Sequence, residues 1–507
     1  MGIPSYFRRI IQKYPGIVKT SSDAASAICF DFNCLIYRCM RSPTLIKTDD
    51  TELWESLLIE EVCKTVKEIW RIAGKPKQVY LAIDGVVPMA KIRQQRVRRF
   101  KSAWLRKESC SSSWDSNAIT PGTRFMAKLG KELEALCSSK KGWSVSGVDE
   151  QGEGEHKIMK WLRERGEKGG VVIYGLDADL ILLSMLTGEM IQRDIVLLRE
   201  KQEFGGTVSQ GEQEYSFMDI QEFKIRLDIK GITEVTNYVA LMSLMGNDFL
   251  PHSITHKLND DGHDYIMREV RAMKQGRGWL INDAGKVSRE VLLDVCKRWC
   301  VDEEERMLHC IQKKNEQAQR GVAKGMDASE GLPLEWKIER NMTNGKTMAQ
   351  NWRSQYWAFI HPQADKSVIC SEYVYGVQWI IDYYTGKPVN LHWVFPSWIP
   401  PLWTDLAEWL AKKEFPKRAE MYNAPIKPEE QLTMVLPLES WNLIENKNLK
   451  MVPLLAPQMW PKKFPFFSFG RRWLWECEAR IPVLTAERLH EILNDLTIDG
   501  ECTGKNS

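Results

Sequence analysis

Three short apolar runs in the first half of the chain each end in aspartate: AICFDF (27–32), QVYLAIDG (78–85) and GVVIYGLDADL (170–180). Runs of this length and composition read as strands buried on both faces. Helical patterns lie between them, around Leu53–Ile72, Lys91–Lys107, Gly122–Cys137 and Glu153–Arg165, and a further one spans Val235–Leu244. Strands alternating with helices predict an α/β fold with a mostly parallel sheet flanked by helices. In such a sheet ligands bind beyond the carboxyl ends of the strands. Asp31, Asp84, Asp177 and Asp179 all fall there.

Each of these acids also has an ordinary explanation. Asp84 before Gly85 suits a turn, and Asp177 suits a helix N-cap. Their recurrence does not, because a carboxylate beside an apolar core carries a desolvation cost. Glu153 and Glu155 of QGEGEHKIMKW and Asp248 of MGNDFLPH extend the set. Carboxylates converging on one crevice repel one another unless a cation lies among them, and oxygen ligands suit Mg²⁺ or Mn²⁺. Two such ions about 4 Å apart are the usual arrangement for metal-assisted phosphodiester hydrolysis. The cofactor expectation is therefore Mg²⁺ or Mn²⁺, as two ions.

Directly after Asp84 comes VVPMAKIRQQRVRRFKSAWLRK, with eight Lys/Arg and no acid from Lys91 through Lys107. On a helix Lys91, Gln95, Arg98 and Arg99 share one face, while Ile92, Val97, Phe100 and Trp104 serve the buried side. A charge run alone is more often a solvated face. Beside an acidic metal site it becomes a candidate phosphate pocket, since arginine forks and a lysine suit a terminal phosphate. A pocket filled by a chain end points to an exonuclease.

The net charge of +3 gives no global argument for nucleic acid. No apolar run is long enough to span a bilayer, and the start lacks a signal-peptide core. The twelve cysteines read as reduced intracellular thiols. Most tryptophans follow residue 270, where the composition shifts. The expected organisation is a nuclease domain over 1–270, a helical connector over 271–345, a second region over 346–493 enclosing the active site, and a disordered tail over 494–507.

With these residues in hand, the chain resembles the eukaryotic 5′→3′ exoribonuclease (XRN) family. The similarity lies in MGIPSYFRRIIQKYP, DFN (31–33), AIDGVVPMAKIRQQRVRRF (82–100), TPGTRFM (120–126), GEGEHKIM (152–159), YGLDADLI (174–181) and MGNDFLPH (245–252), in family order. YVYGVQWIIDYYTGKP and PEEQLTMVLP look like its second conserved region, so the resemblance runs from Met1 to about Leu493. It implies that Asp31, Asp84, Glu153, Glu155, Asp177, Asp179 and Asp248 hold the metals, and that Lys91, Gln95, Arg98 and Arg99 form a 5′-monophosphate pocket. The family degrades single-stranded RNA processively and clamps the first base between a histidine and a tryptophan. Here the histidine position is Tyr37, and the tryptophan is assigned to Trp393, for which a structural role is an equal alternative. The resemblance implies a short member without the long C-terminal extension, with a viral origin among the options. The chain is expected to be a monomer with no membrane association, and cytoplasmic rather than nuclear because no basic localisation cluster stands outside the pocket helix, the nucleus remaining the alternative. A DNA flap nuclease and a catalytically silent RNA-binding protein remain the alternatives.

Overall fold

The computed structural model describes the chain except residues 1–2, 4–5, 22–24, 44, 110–113, 167, 201–214, 324–340, 361–363, 413–421, 472–475 and 504–507. Seven strands form one sheet: β1 (Val18–Lys19), β2 (Ala25–Asp31), β3 (Gln78–Ala82), β4 (Trp143–Ser146), β5 (Gly170–Tyr174), β6 (Ile195–Glu200) and β7 (Tyr215–Asp219). Their order is β1-β7-β6-β5-β2-β3-β4. The five strands from β6 to β4 run parallel, and β7 joins β6 and β1 antiparallel at one edge.

The period-2 alternation of the buried strands sends their side chains into two different cores. Ile28, Phe30, Val79, Leu81, Val172 and Tyr174 face one core, packed against helices Phe32–Met40, Thr51–Ile72 and Arg124–Ser138. Ala27, Cys29, Tyr80, Ala82, Val171 and Ile173 face the other. That second core includes helices Gly154–Glu164, Asp179–Ile191 and Gly231–Ser243, then continues into the tryptophan-rich half through Trp352, Trp379, Trp393 and Trp403. The tryptophans are therefore largely core filler.

From β2 the chain winds outward through β3 to β4, then returns to the other side of β2 for β5 and β6. The order reverses between β2 and β5, and this topological switch point opens a crevice at their carboxyl ends. Asp31 closes β2 there, and Asp177 follows β5.

The helix Met89–Ser109 stands over the crevice. Its apolar side, with Ile92, Val97 and Phe100, packs against Leu432, Met434, Ile481 and Leu489 in a third core. Trp104, expected among these buried residues, is instead 36% exposed. Two arginines of the basic run are structural. Arg96 donates to the carbonyls of Met434 (2.7 Å), Pro482 (3.0 Å) and Met459, and Arg93 to those of Ser397 (3.0 Å) and Phe395.

The connector segment GMDASEGLPLEW (325–336) lies outside the described residues. The final helix runs Ala486–Thr503, so helix takes up most of the segment expected to be a disordered tail. Among the described residues no helix is long and apolar enough to cross a membrane.

Candidate active site

The crevice is lined by the acids Asp31, Asp84, Glu153, Glu155, Asp177 and Asp248 together with Lys91, Gln95, Arg98, Arg99 and Tyr37. Ile119 and Pro121 complete the wall. Eleven of the thirteen residues singled out in the sequence are thus neighbours in space.

Backbone geometry explains how so many acids meet. Gly154 opens its helix with its N–H donating to Asp84 Oδ1 at 2.7 Å. A Cβ on Gly154 would lie 2.7 Å from the Ala82 carbonyl oxygen and 2.9 Å from Asp31 Oδ1. Only glycine lets the helix start approach both strand ends. Asn33, unremarked in the sequence beyond its place in DFN, donates to the other Asp84 oxygen at 2.8 Å. Arg199 holds the turn after β5 through the carbonyls of Leu176 and Asp177.

Lys91 stands among the acids rather than on a free basic face. Its Nζ lies 2.5 Å from Glu153 Oε2 and 2.7 Å from Asp248 Oδ2. Burial opposes its charge, but Asp248 and Glu153 hold the ammonium well above its ordinary pKa. Of the two carboxylates sharing it, Asp248 stays low while burial still pushes Glu153 up. One ammonium does not neutralise the rest. Burial, then repulsion from Asp84 and Asp177, raises Asp31 to about 8. Burial, then Asp177 and Asp248, raises Asp179 to about 8. Burial with Asp177 and Glu153 drives Glu155 well above the carboxylate range.

Asp179 is 1% exposed and sits behind the crevice wall, with Oδ1 buried and without a partner. Glu155 Oε2 is likewise buried and unpartnered. Unpaired buried carboxylate oxygens are costly in a finished structure, and here they occur where several acids crowd together. Oxygen-only donors in this number fit a hard divalent cation. Glu153 and Glu155 also present ligand atoms within 4.8 Å of one another and of a His156 nitrogen.

In the same crevice Arg99 is buried, with Nη1 lacking a partner. Burial lowers its pKa to about 10, far less than losing the charge at neutral pH would require. Gln95 is buried beside it, also with an unpartnered Oε1. A buried guanidinium with a free N–H is suited to an anion.

Trp393 is not brought to the crevice. It is 1% exposed, donates from Nε1 to Glu372 at 2.9 Å and packs against Trp379 at 5.2 Å. Both faces are committed to the core, so the structure favours the structural alternative over base stacking. Conversely, two tyrosines that the sequence did not single out reach the acids. Tyr383 Oη donates to Glu153 at 3.3 Å and Tyr384 Oη to Asp179 at 3.1 Å.

Comparison with known proteins bears on this arrangement. Residues 1–201 match the XRN 5′-3′ exonuclease N-terminus and residues 350–501 match the Xrn1 helical domain. The chain belongs to the XRN 5′→3′ exonuclease family. Human 5′-3′ exoribonuclease 1 is 25% identical over 97% of this chain and 34% of its own length. The Saccharomyces cerevisiae protein of the same name is 30% identical over 57% of this chain and 22% of its own. Chicken 5′-3′ exoribonuclease 2 is 22% identical over 98% and 70% respectively. The chain thus spans about a third of the human relative's length. Flap endonuclease-1 from Methanococcus jannaschii is 14% identical over 56% of this chain and 90% of its own, with a TM-score of 0.31, too low to argue from. The first XRN segment carries the crevice residues except Asp248, and the second carries Tyr383 and Tyr384.

Proposed function

We propose that the chain is a 5′→3′ exoribonuclease that processively hydrolyses 5′-monophosphorylated single-stranded RNA to nucleoside 5′-monophosphates. One observation carries this reading: a buried guanidinium with an unpartnered Nη1, Arg99, lines the same crevice as an acid cluster in which the buried Glu155 Oε2 has no partner. The two halves of such a site want a phosphate and a cation respectively.

Asp31, Asp84, Glu153, Glu155, Asp177, Asp179 and Asp248 are the residues that would hold Mg²⁺ or Mn²⁺. When bound, a pair of such ions supplies electrophilic assistance to phosphodiester hydrolysis. The chain's own residues do the rest. Asn33 and the Gly154 N–H fix both oxygens of Asp84, so its orientation is set before any ligand arrives. Arg99, Arg98 and Gln95 bind the terminal phosphate, and Lys91, paired with Glu153 and Asp248, adds positive charge to the same crevice. The phosphate's position relative to the acids then decides which bond is cut, because orientation rather than new covalent chemistry lowers the barrier. Tyr37 offers a ring to the first base.

The test offers matched RNAs with 5′-monophosphate, 5′-triphosphate or 5′-hydroxyl ends, with Mg²⁺ and with a DNA flap as comparison. Preferential digestion of the monophosphate is expected, and Arg99→Leu should narrow that preference. Equal digestion of all three RNAs would remove the phosphate pocket, and preference for the flap would remove RNA as the substrate.

A further inference from the structure

The helix Lys366–Thr385 belongs to the second conserved region, yet its last turn enters the acid site. Tyr384 Oη donates to Asp179 Oδ2 at 3.1 Å, while Asp179 Oδ1 is buried and has no partner. Tyr383 Oη donates to Glu153 Oε1 at 3.3 Å, while Glu153 Oε2 faces Lys91. In both carboxylates a tyrosine hydroxyl holds one oxygen, while the other is left without a partner in Asp179 and is paired with Lys91 in Glu153.

The tethers are themselves held. The Tyr383 ring lies against His156 at 3.9 Å and against Trp379 at 4.9 Å, with interplanar angles of 31° and 29°. Phe249 meets it edge-on at 5.5 Å. Tyr384 is 1% exposed and packs near His156 and Phe249. Packing of this kind leaves few rotamers for either phenol. An immobilised donor in turn selects one rotamer of the carboxylate it serves.

We infer that Tyr383 and Tyr384 are positioning residues for a divalent cation: their hydroxyls orient Glu153 and Asp179, so the second region helps build the cation site. This rests on reading the acids as cation ligands. Neither tyrosine is a ligand; each acts through a carboxylate that is.

The experiment titrates Mn²⁺ into the full chain by isothermal calorimetry, comparing wild type with Tyr383→Phe, Tyr384→Phe and the double variant. Tyr373→Phe is the control. It lies on the same helix and is as deeply buried as Tyr384, but its hydroxyl donates to the Leu244 carbonyl at 3.3 Å. Removing an outer partner of a metal ligand typically weakens binding at least about tenfold. The expected result is that loss in the double variant, with unchanged circular dichroism, unchanged RNA affinity in chelator, and wild-type Mn²⁺ affinity in Tyr373→Phe. The Mg²⁺ concentration for half-maximal turnover should rise by a similar factor while turnover at saturating Mg²⁺ changes less. Mn²⁺ affinity of the double variant within about twofold of wild type overturns the inference, as does an equal loss in Tyr373→Phe. If wild type takes up no Mn²⁺, the reading of the acids fails and this inference with it. If wild type binds Mn²⁺ and cuts RNA while the double variant binds equally well, only the inference fails.

Discussion

Replacing Lys91 by methionine tests whether its ammonium offsets the acid cluster. The side chain is 13% exposed, and its two partners, Glu153 and Asp248, are 5% and 6% exposed. Removing one partner of a buried ion pair costs about 3–5 kcal/mol, because the remaining charge stays buried without compensation. Here two carboxylates lose the same cation. Lys91→Met should therefore lower unfolding stability in chelator by about 3–5 kcal/mol, read from the urea midpoint. A divalent cation should reverse much of this. An ion at 100 times its dissociation constant stabilises the native state by about 2.7 kcal/mol, and in the variant no ammonium competes for Glu153 and Asp248. Added Mg²⁺ should consequently raise the variant's midpoint more than that of wild type. A loss under about 1 kcal/mol in chelator, or equal Mg²⁺ stabilisation of both proteins, would refute the assignment.

Two further predictions concern packing and pH. Gly154→Ala should destabilise by about 1–3 kcal/mol, the usual cost of overpacking, because its Cβ would press on Asp31 and the Ala82 carbonyl. Gly130→Ala, within helix Arg124–Ser138 and with open space at its Cβ, should instead stabilise by about 0.5–1 kcal/mol, and denaturation of the pair checks the sign. Burial lowers His252, His256 and His263 to about 3, 3 and 4. The native state then binds fewer protons than the unfolded chain, so their contribution is full above about pH 6.5 and is lost as pH falls towards those values. Each histidine should add a slope of roughly 1.4 kcal/mol per pH unit across that window. His263→Gln should flatten the stability profile between pH 6 and 5 by about that amount, and an unchanged slope would exclude it.

The acid wall was legible because two signals coincided: apolar strands of regular period, and carboxylates where those strands stop. The outer strands β1, β4, β6 and β7 were not anticipated. WSVS is too short and polar to stand out, and β6 and β7 are antiparallel to each other, outside the alternating pattern. The pocket helix showed its charge in the sequence but not the allocation of that charge. Arg93 and Arg96 turn to backbone carbonyls, Lys91 turns to acids, and Arg99 is left for an anion. For Trp393 the sequence left stacking and a structural role as equal alternatives, since a tryptophan in a matching region gives no indication of which way its ring faces. Tyr384 was invisible because its partner lies 205 residues away, and local periodicity carries no information about such a contact.

The staple between Arg96 and the Pro482 carbonyl also bears on the order in which the molecule is made. The two residues are 386 positions apart. A ribosome releases the pocket helix well before the surfaces that cover its apolar side and accept its arginines, the acceptor carbonyls lying 302 to 386 residues further on. Until then the helix has no fixed seat above the strand ends. The crevice is therefore assembled only after those later residues have been made.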